Sequence, residues 1–482
     1  MSPSRNPGLP TDAGRALRDI LDGARGPVEA PIRSEIFGPQ RFAQHGRSLG
    51  ATHHTTRPGA WGGTFFPRLR DNIRVLREAH GYIGVQATTG YDISPAAEWL
   101  LDNFHLIEAQ LREIHEGLPR SYFRTLPILQ EPPLVGLPRV YGVAWAFVAH
   151  TDGAFDDDLL VQFLVAYQES CELNLSELWA LPTTLRVVLV ENLRRLAERV
   201  ATNKAAREVA NLCCDHIAST SLHALDQILL WMERRGVDRV FLAQMAQRFQ
   251  DPRTVTDARQ QAWLHHALPE VAAFQLQQPA NQAADNLSVS NAVNSLRAIG
   301  DADWDDIIAR SSTVMQVMRG SRVFVAEDVP TRDETLHAIE KLARRSGQTE
   351  VTVARALLAQ MQGGEGRMAQ ANHWLQGSGK IVLAEALGLR NGAAASGWAA
   401  WRQLLLPGYL ASLALGTAGL TAWTLLGSHA LHVGSPWLLL AGVALAVFPA
   451  SEAVVAVVNR LISESAKPHH LSRLALTGGI PA

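Results

Sequence analysis

Two long apolar stretches near the C-terminal end constrain this chain more than any other feature. Leu404–Leu426 has 23 residues and no charged side chain, and Pro436–Val458 is equally long with one acid, Glu452. About 20 apolar helical residues cross the roughly 30 Å of hydrocarbon in a bilayer. The sequence therefore predicts a transmembrane hairpin over residues 404–458, made of spans 404–426 and 436–458. A buried hairpin in a soluble protein is the less favoured alternative.

Basic residues around the two stretches predict their orientation. Arg402 precedes the first stretch, and Arg460, Lys467 and Arg473 follow the second, whereas the connection 427–435 has no Lys or Arg. Cytoplasmic flanks of membrane helices carry the excess of Lys and Arg. We therefore expect both flanks, and with them both termini of the chain, to lie in the cytoplasm.

Small residues predict how the two membrane helices pack. Lipid gives apolar helices no hydrophobic reason to associate, so close approach through small side chains has to supply much of the attraction. Each stretch has small residues at four-residue steps, and these predict two facing seams. The seams are Ala414, Ala418 and Ala422 on the first helix, and Gly442, Ala446 and Ala450 on the second.

Glu452 is the one acid inside the predicted spans. An ionised, unpaired carboxylate at such a depth costs on the order of a few kcal/mol, so Glu452 is expected to find a partner or to stay protonated. Tyr409 lies at a similar depth on the antiparallel helix and is the candidate partner. The alternatives are that Glu452 reaches the membrane surface or contacts a further helix.

The remainder of the chain has a helical pattern. Between residues 34 and 390, apolar residues recur at three- and four-residue steps, and alternating strand patterns are scarce. The predicted fold is therefore all-α, a multihelical cytoplasmic domain at 34–390 followed by the two-helix transmembrane hairpin. Residues 1–33 are predicted to be a disordered tail without an export signal, and residues 459–482 a cytoplasmic linker.

Two helices in this domain have clear boundaries in the sequence. The first is predicted to begin with Ser94 as its cap and to run without interruption to Gly117. The second is predicted to begin at Ser176, with Pro182 bending it or resetting its start. A separate helix is predicted over 204–234.

Composition excludes several classes of function. The 44 basic and 46 acidic residues give a net charge of −2, which offers no electrostatic reason to expect a nucleic-acid partner. The three cysteines, Cys171, Cys213 and Cys214, form no disulfide framework and no cysteine-rich zinc site. The adjacent pair Cys213–Cys214 is interpreted as filling core space.

Patterns that suggest catalysis have simpler explanations. The adjacent histidines His53–His54, His265–His266 and His469–His470 lack an accompanying HExxH, so no metal site is predicted. Aspartates at 156–158 and at 301 and 303 are interpreted as helix starts. Glu98, Asp102 and His105 share one polar helix face, for which a solvated surface is favoured over ligand binding.

Extended stretches, rather than short motifs, connect the chain to a known family. They read YDISPAAEWLLDNFHLIEAQLREI at 91–114, LPRVYGVAWAFVAHTDGAFDDDLLVQFLVAYQ at 137–168 and LNLSELWALPTTLRVVLVENLRRLAERV at 173–200, with further matches at 288–319 and 331–358. Over roughly residues 34–480, and in the same order, the chain resembles the N-terminal region of the cyclic β-1,2-glucan synthases, which are large bacterial inner-membrane enzymes.

The resemblance implies that catalysis belongs to other regions of the family's proteins and not to the region that this chain resembles. Family members follow this helical region and its two spans with a glucosyltransferase segment that uses UDP-glucose, for which a divalent metal is expected, and later with a phosphorylase-like region. The family's QxxRW motif is missing, because the nearest stretch, Gln316–Gly320, lacks the Trp. No catalytic residue, cofactor or metal is therefore expected in this chain.

The implied function is a membrane-anchoring and scaffold module in the bacterial inner membrane. Its expected partners are the lipid bilayer and the glucosyltransferase and phosphorylase-like regions, in the same chain or in a separate one. One alternative is a free-standing membrane adaptor or regulator of a separately encoded synthase. A third hypothesis is an enzyme that uses Glu98 and Asp102, which their shared helix face disfavours.

Overall fold

The structure, a computed structural model, describes residues 17–56, 64–88, 93–117, 119–251, 254, 257–268, 271–364, 366–389, 393–427, 436–465 and 473–475. This part of the chain is predominantly helical, and the all-α prediction is confirmed. It divides into two compact units, Met1–Met315 and Gln316–Ala482, and this division falls inside the range predicted as one domain.

The first unit contains thirteen labelled α-helices within the described residues. They are α1 (Pro39–Thr52), α2 (Phe65–Thr88), α3 (Pro95–Asp102), α4 (Phe104–Glu116), α5 (Arg120–Phe123), α6 (Arg139–His150), α7 (Asp157–Gln168), α8 (Leu175–Asp215), α9 (Leu222–Arg235), α10 (Asp238–Phe249), α11 (Ala258–Ala267), α12 (Val271–Asp301) and α13 (Trp304–Ser311). Strands β1 (Thr55–Thr56) and β2 (Ile128–Leu129) form one antiparallel pair, with Thr55 opposite Leu129.

The helix α8 organises the first unit. A capping box starts it, in which Asn174 and Glu177 bond each other's backbone. Helices α2, α6, α10 and α12 pack around it. One face of α8 carries an apolar stripe, and its residues Leu185, Leu189, Leu193 and Leu196 are buried.

Two helix boundaries differ from the predictions. The helix expected over 94–117 stops at Asn103, whose side-chain amide donates to the Trp99 carbonyl at 3.0 Å and whose backbone leaves the helical region. Conversely, α8 continues through Pro182 to Asp215 and includes the first 12 residues of the helix predicted at 204–234, most of whose remainder forms α9. Burial of Leu178, Leu181 and Leu185 on both sides of Pro182 compensates for the one missing hydrogen bond.

Residues 17–33 differ from the predicted disordered tail. Leu17, Ile20 and Leu21 are buried in the core, at the helical spacing visible in the sequence. The backbone N–H of Ile32 donates to Asn192 Oδ1 at 2.7 Å, and the Arg33 guanidinium donates to Ser288 Oγ at 2.6 Å. Enough apolar surface is buried to order this segment despite its Gly and Pro content. Residues 1–16 of the predicted tail lie outside the described residues.

The second unit combines short helices with two long ones. A short helix, α14 (Thr313–Met318), crosses the boundary between the units and is followed by α15 (Arg322–Ala326), α16 (Val329–Ser346), α17 (Glu350–Gln362), α18 (Ala371–Leu375), α19 (Lys380–Ala386), α20 (Ala393–Gly427) and α21 (Pro436–Ser465).

A short segment beyond α21 returns to the start of this unit. Glu327 and Leu474 form an antiparallel bridge. The N–H of Ala475 donates to the Ala326 carbonyl at 2.8 Å, and the N–H of Asp328 donates to the Arg473 carbonyl at 2.9 Å. Residues 326–328 and 473–475 are therefore held together, one before and one after the long helices. The rest of the predicted linker, apart from the end of α21, lies outside the described residues.

Candidate functional site

The candidate site is the pair of long apolar helices α20 and α21. In the described part of the chain, Leu405–Gly427 and Pro436–Ser465 are long and apolar enough to cross a membrane. The core helix of a soluble protein also passes that test, but such a helix is mostly buried, whereas only 6% of the most apolar window of each helix is buried here. Leu445 and Phe448 are 82% and 77% exposed. An apolar surface of this extent fits lipid better than water.

The contact between the helices uses the predicted seam on α21 but not the one on α20. Ala450 is buried, and Gly442 faces Leu425, to which an added Cβ would lie 3.9 Å away. On α20 the close approach is at Gly416, where an added Cβ would lie 2.8 Å from Cγ1 of Val454. Because glycine allows closer approach than alanine, α20 turns Gly416 toward its partner.

The predicted alanine seam on α20 therefore needs correction. Ala414, Ala418 and Ala422 are exposed and line a groove beside the contact. Thr421, one residue away from Ala422, is buried instead. The four-residue spacing of the alanines therefore identified a face of α20 that lies beside the helix–helix contact, and not the face that makes it.

The predicted hydrogen bond between Tyr409 and Glu452 is not formed, because Tyr409 bonds a different residue. The Tyr409 hydroxyl donates to Oδ1 of Asn459 on α21 at 3.1 Å. Glu452 is exposed and has no hydrogen bond or ion pair within the described residues. Asn459 was missed from the sequence because the predicted span ended at Val458, whereas α21 continues to Ser465.

The other residues considered as candidates for catalysis or metal binding are either exposed on the surface or buried in the core. Glu98 and Asp102 on α3 and His105 on α4 are exposed, and His105 Nδ1 lies 3.1 Å from the Asp102 carbonyl oxygen. The described residues contain no group of three or more His, Cys, Asp or Glu side chains that could hold a metal. Cys213 and Cys214 are free and buried, and burial raises the pKa of the two thiols to about 11 and about 12.

Histidines and aspartates singled out in the sequence make local contacts. His53 Nδ1 lies 2.9 Å from the Tyr167 hydroxyl, and burial lowers its pKa to about 4. His265 and His266 are exposed, and His469–His470 lie outside the described residues. Asp156 and Asp303 cap helices α7 and α13, accepting from the N–H groups of Leu159 and Asp306. These two helix starts agree with the sequence interpretation.

A buried ionic network along α8 was not visible in the sequence. Glu191 accepts hydrogen bonds from Arg68 Nε and Asn72 Nδ2, each at 2.9 Å, from the Tyr141 hydroxyl, and from Arg195 at 2.8 Å. Burial alone would raise the pKa of Glu191. The hydrogen bonds and positive charge of Arg68, aided by Tyr141 and Arg195, outweigh burial and lower that pKa to about 2.

Further buried pairs extend this network. Arg139 pairs with Glu177 near the start of α8, and Arg235 reaches Glu198 at 2.8 Å from α9. These acids and bases are directed at one another, which is typical of ion pairs that join helices. The network stabilises one arrangement of α2, α6, α8 and α9 around the centre of the unit.

Comparison with known proteins connects this arrangement to an enzyme family. No protein-family model matches the chain. The chain is 33% identical over 324 residues to the cyclic β-(1,2)-glucan synthase NdvB of Rhizobium meliloti (strain 1021). The alignment covers 66% of this chain and 11% of the relative, so the chain spans only about a tenth of that protein's length. The resemblance is confirmed, and it is consistent with an N-terminal region of such a synthase.

Proposed function

We propose that this chain, as a relative of the cyclic β-1,2-glucan synthases, is the membrane-anchoring and scaffold module of such a synthase. The observation that carries the proposal is the exposed apolar surface of α20 and α21 in a chain whose relative is a glucan synthase. A bilayer is the solvent that such a surface requires. The remaining helices then form the base on which catalytic regions assemble.

The proposed topology is two crossings with both flanks in the cytoplasm. Residues 326–328 precede the hairpin and 473–475 follow it, and the two segments hydrogen bond to each other. Segments in such contact lie on the same side of a membrane, which supports an even number of crossings. Arg402, Arg460 and Arg473 favour the cytoplasmic side in a bacterial inner membrane.

Catalysis is assigned in this proposal to glucosyltransferase and phosphorylase-like regions, in the same polypeptide or in a separate one. UDP-glucose and a divalent metal would bind there. The ionic groups around α8 support a structural role for this unit, because Glu177, Glu191 and Glu198 already have cationic partners.

The topology is tested by cysteine labelling in intact cells. Ser428→Cys lies between the spans, and Ser463→Cys lies near the end of α21. A membrane-impermeant maleimide added after access through the outer membrane is expected to label the first and not the second. The chain without an added cysteine is the control for the three native ones. Labelling of Ser463→Cys from outside would contradict the proposed orientation.

The scaffold role is tested with a synthase lacking its N-terminal region. If this chain works as a module in trans, co-expression should restore glucan synthesis, and affinity purification should recover the shortened synthase with it. A free-standing adaptor would instead bind a complete synthase equally well. Binding to neither form would contradict both versions.

A further inference from the structure

A cleft with both polar and apolar walls runs along one side of α8 within the first unit. It consists of two adjoining chambers of about 420 Å³ and about 430 Å³. Four residues line both chambers, namely Asn203, Arg207, Gln282 and Asp285. Chambers of this size lie within the range of small-molecule sites, roughly 300 to 1,000 Å³. Their shared wall makes the cleft elongated.

Two helical stripes supply the polar walls. On α8, Arg199, Asn203, Arg207 and Asn211 recur at four-residue steps and so share one face of the helix. On α12, the lining residues recur at three- and four-residue steps from Gln278 to Asn286. A helix that packs its other faces into the core therefore keeps one polar stripe directed at a cavity.

Amides make up more than half of the polar side chains in the lining. An amide both donates and accepts hydrogen bonds, as a sugar hydroxyl does, so a row of amides matches a row of hydroxyls without bringing net charge. Nine amides line the two chambers: Gln86, Asn203, Asn211, Gln244, Gln247, Gln278, Asn281, Gln282 and Asn286.

Two groups in the cleft have bonding capacity that the described residues leave unused. The guanidinium of Arg207, at the junction of the chambers, has no hydrogen bond or ion pair within this part of the chain, and burial lowers its pKa. Oδ1 of Asn286 is buried without a hydrogen-bond partner among the described residues. A buried polar atom usually has a partner, so Oδ1 of Asn286 is suited to accept from a ligand's hydroxyl. The half-buried guanidinium of Arg207 can donate to another.

The charges of the cleft favour a neutral ligand. The first chamber is lined by three cationic side chains, Arg199, Arg207 and Arg239, and by three anionic ones, Glu29, Asp238 and Asp285. Asp285 is paired with Arg199 at 3.3 Å and with Arg33 at 3.4 Å. The second chamber adds one cation, Lys204, so the whole cleft has four cationic and three anionic side chains. A phosphate or a nucleotide sugar would need a larger excess of positive charge.

We propose that the cleft binds a neutral gluco-oligosaccharide, with Arg207 donating to hydroxyls where the two chambers meet. The polyhydroxylated class follows from the amide lining and the charge balance, and the choice of glucose rests on the proposed function. Binding is noncovalent and places a segment of sugar chain against α8 and α12. A scaffold with such a cleft would hold a glucan as well as anchor its synthase.

Calorimetric titration of the full chain in detergent tests this proposal, with a β-1,2-linked glucotetraose, UDP-glucose and inorganic phosphate as separate probes. The tetrasaccharide is expected to bind, and Arg207→Gln is expected to weaken that binding about ten- to a hundredfold, the range for loss of charged hydrogen bonds. Gln282→Ala, at an exposed position shared by both chambers, should also weaken it without affecting folding. Arg345→Gln, at an exposed position of the second unit, is the matched control.

Three outcomes would overturn the proposal. These are no tetrasaccharide binding by folded chain, unchanged binding in both cleft variants, and tighter binding of UDP-glucose or phosphate that depends on Arg207. The labelling and co-expression experiments do not involve the cleft. Correct membrane topology without sugar binding would therefore reject the cleft proposal alone.

Discussion

The hydroxyl of Tyr409 on α20 lies 3.1 Å from Oδ1 of Asn459 on α21 and donates a hydrogen bond to it. This contact joins the early part of one long helix to the late part of the other. Gly416 and Val454 meet further along the same interface. The hairpin is thus held by a polar contact near one end and by close backbone approach within its apolar length.

Removing the hydroxyl tests the polar contact. Tyr409→Phe is expected to destabilise the hairpin by about 0.6 to 2 kcal/mol, the range for hydrogen bonds between membrane helices. Thermal unfolding in detergent should show a lower Tm. Ser412→Ala is the control, because the Ser412 hydroxyl bonds the Tyr409 carbonyl within its own helix. An equal loss of stability in both variants would argue against the interhelical bond.

A paired glycine experiment tests the close approach. Gly416→Leu is expected to force the helices apart, because its Cβ alone would lie 2.8 Å from the stiff side chain of Val454. Gly419→Leu adds the same volume at a position with no atom within 4 Å of the added Cβ. Disulfide cross-linking between cysteines placed on the two helices should fall in the first variant only. Equal cross-linking would contradict the observed interface.

The ionic network predicts a large effect in the first unit. Glu191→Gln removes the buried carboxylate that the half-buried Arg68 and Arg195 share. It should cost about 3 kcal/mol in the free energy of unfolding, the lower end of the range for a broken buried pair, because Arg68 is partly exposed. Glu169→Gln breaks an exposed pair with Arg47 and should cost no more than about 1 kcal/mol. Chemical denaturation of the full chain in detergent measures both. Similar costs would mean that the network contributes little.

Glu327 predicts a pH dependence in the second unit. Its side chain is buried and its Oε2 has no partner among the described residues, and burial, with Asp328, raises its pKa from 4.5 to about 7. The folded state therefore holds a proton that the unfolded chain releases. The stability from this group is complete below about pH 4.5 and is lost as pH rises through about 7.

A titration of thermal stability checks this sign. The Tm of the unmodified chain should fall relative to that of Glu327→Gln as pH rises through this window, because glutamine stays neutral. A difference that does not change with pH would contradict a raised pKa. Glu464→Gln, on an exposed face of α21, is the control.

The sequence predicted features that depend on local pattern. Uncharged length alone predicted α20 and α21, and Ser94, Asp156 and Asp303 were recognisable as caps because capping acts over three residues. The burial of residues 17–33 and the Glu191 network were not predictable in this way. Arg68 and Glu191 are 123 residues apart, and one sequence carries no signal for contacts at such a distance.

The sequence also did not predict which face of α20 points toward α21. A stripe of alanines at 414, 418 and 422 and a glycine at 416 both offer small surfaces, and pattern alone did not decide which faces the partner. The four-residue spacing of the polar residues on α8 is visible in the sequence. That they line a cleft depends on α12 lying opposite them, which the sequence does not show.

Alkaline carbonate extraction of membranes from cells that make the full chain is the most direct measurement of whether α20 and α21 lie in lipid. The chain is expected to stay in the membrane pellet after the carbonate wash and to be released only by detergent. Recovery of folded chain in the aqueous fraction without detergent would contradict the account.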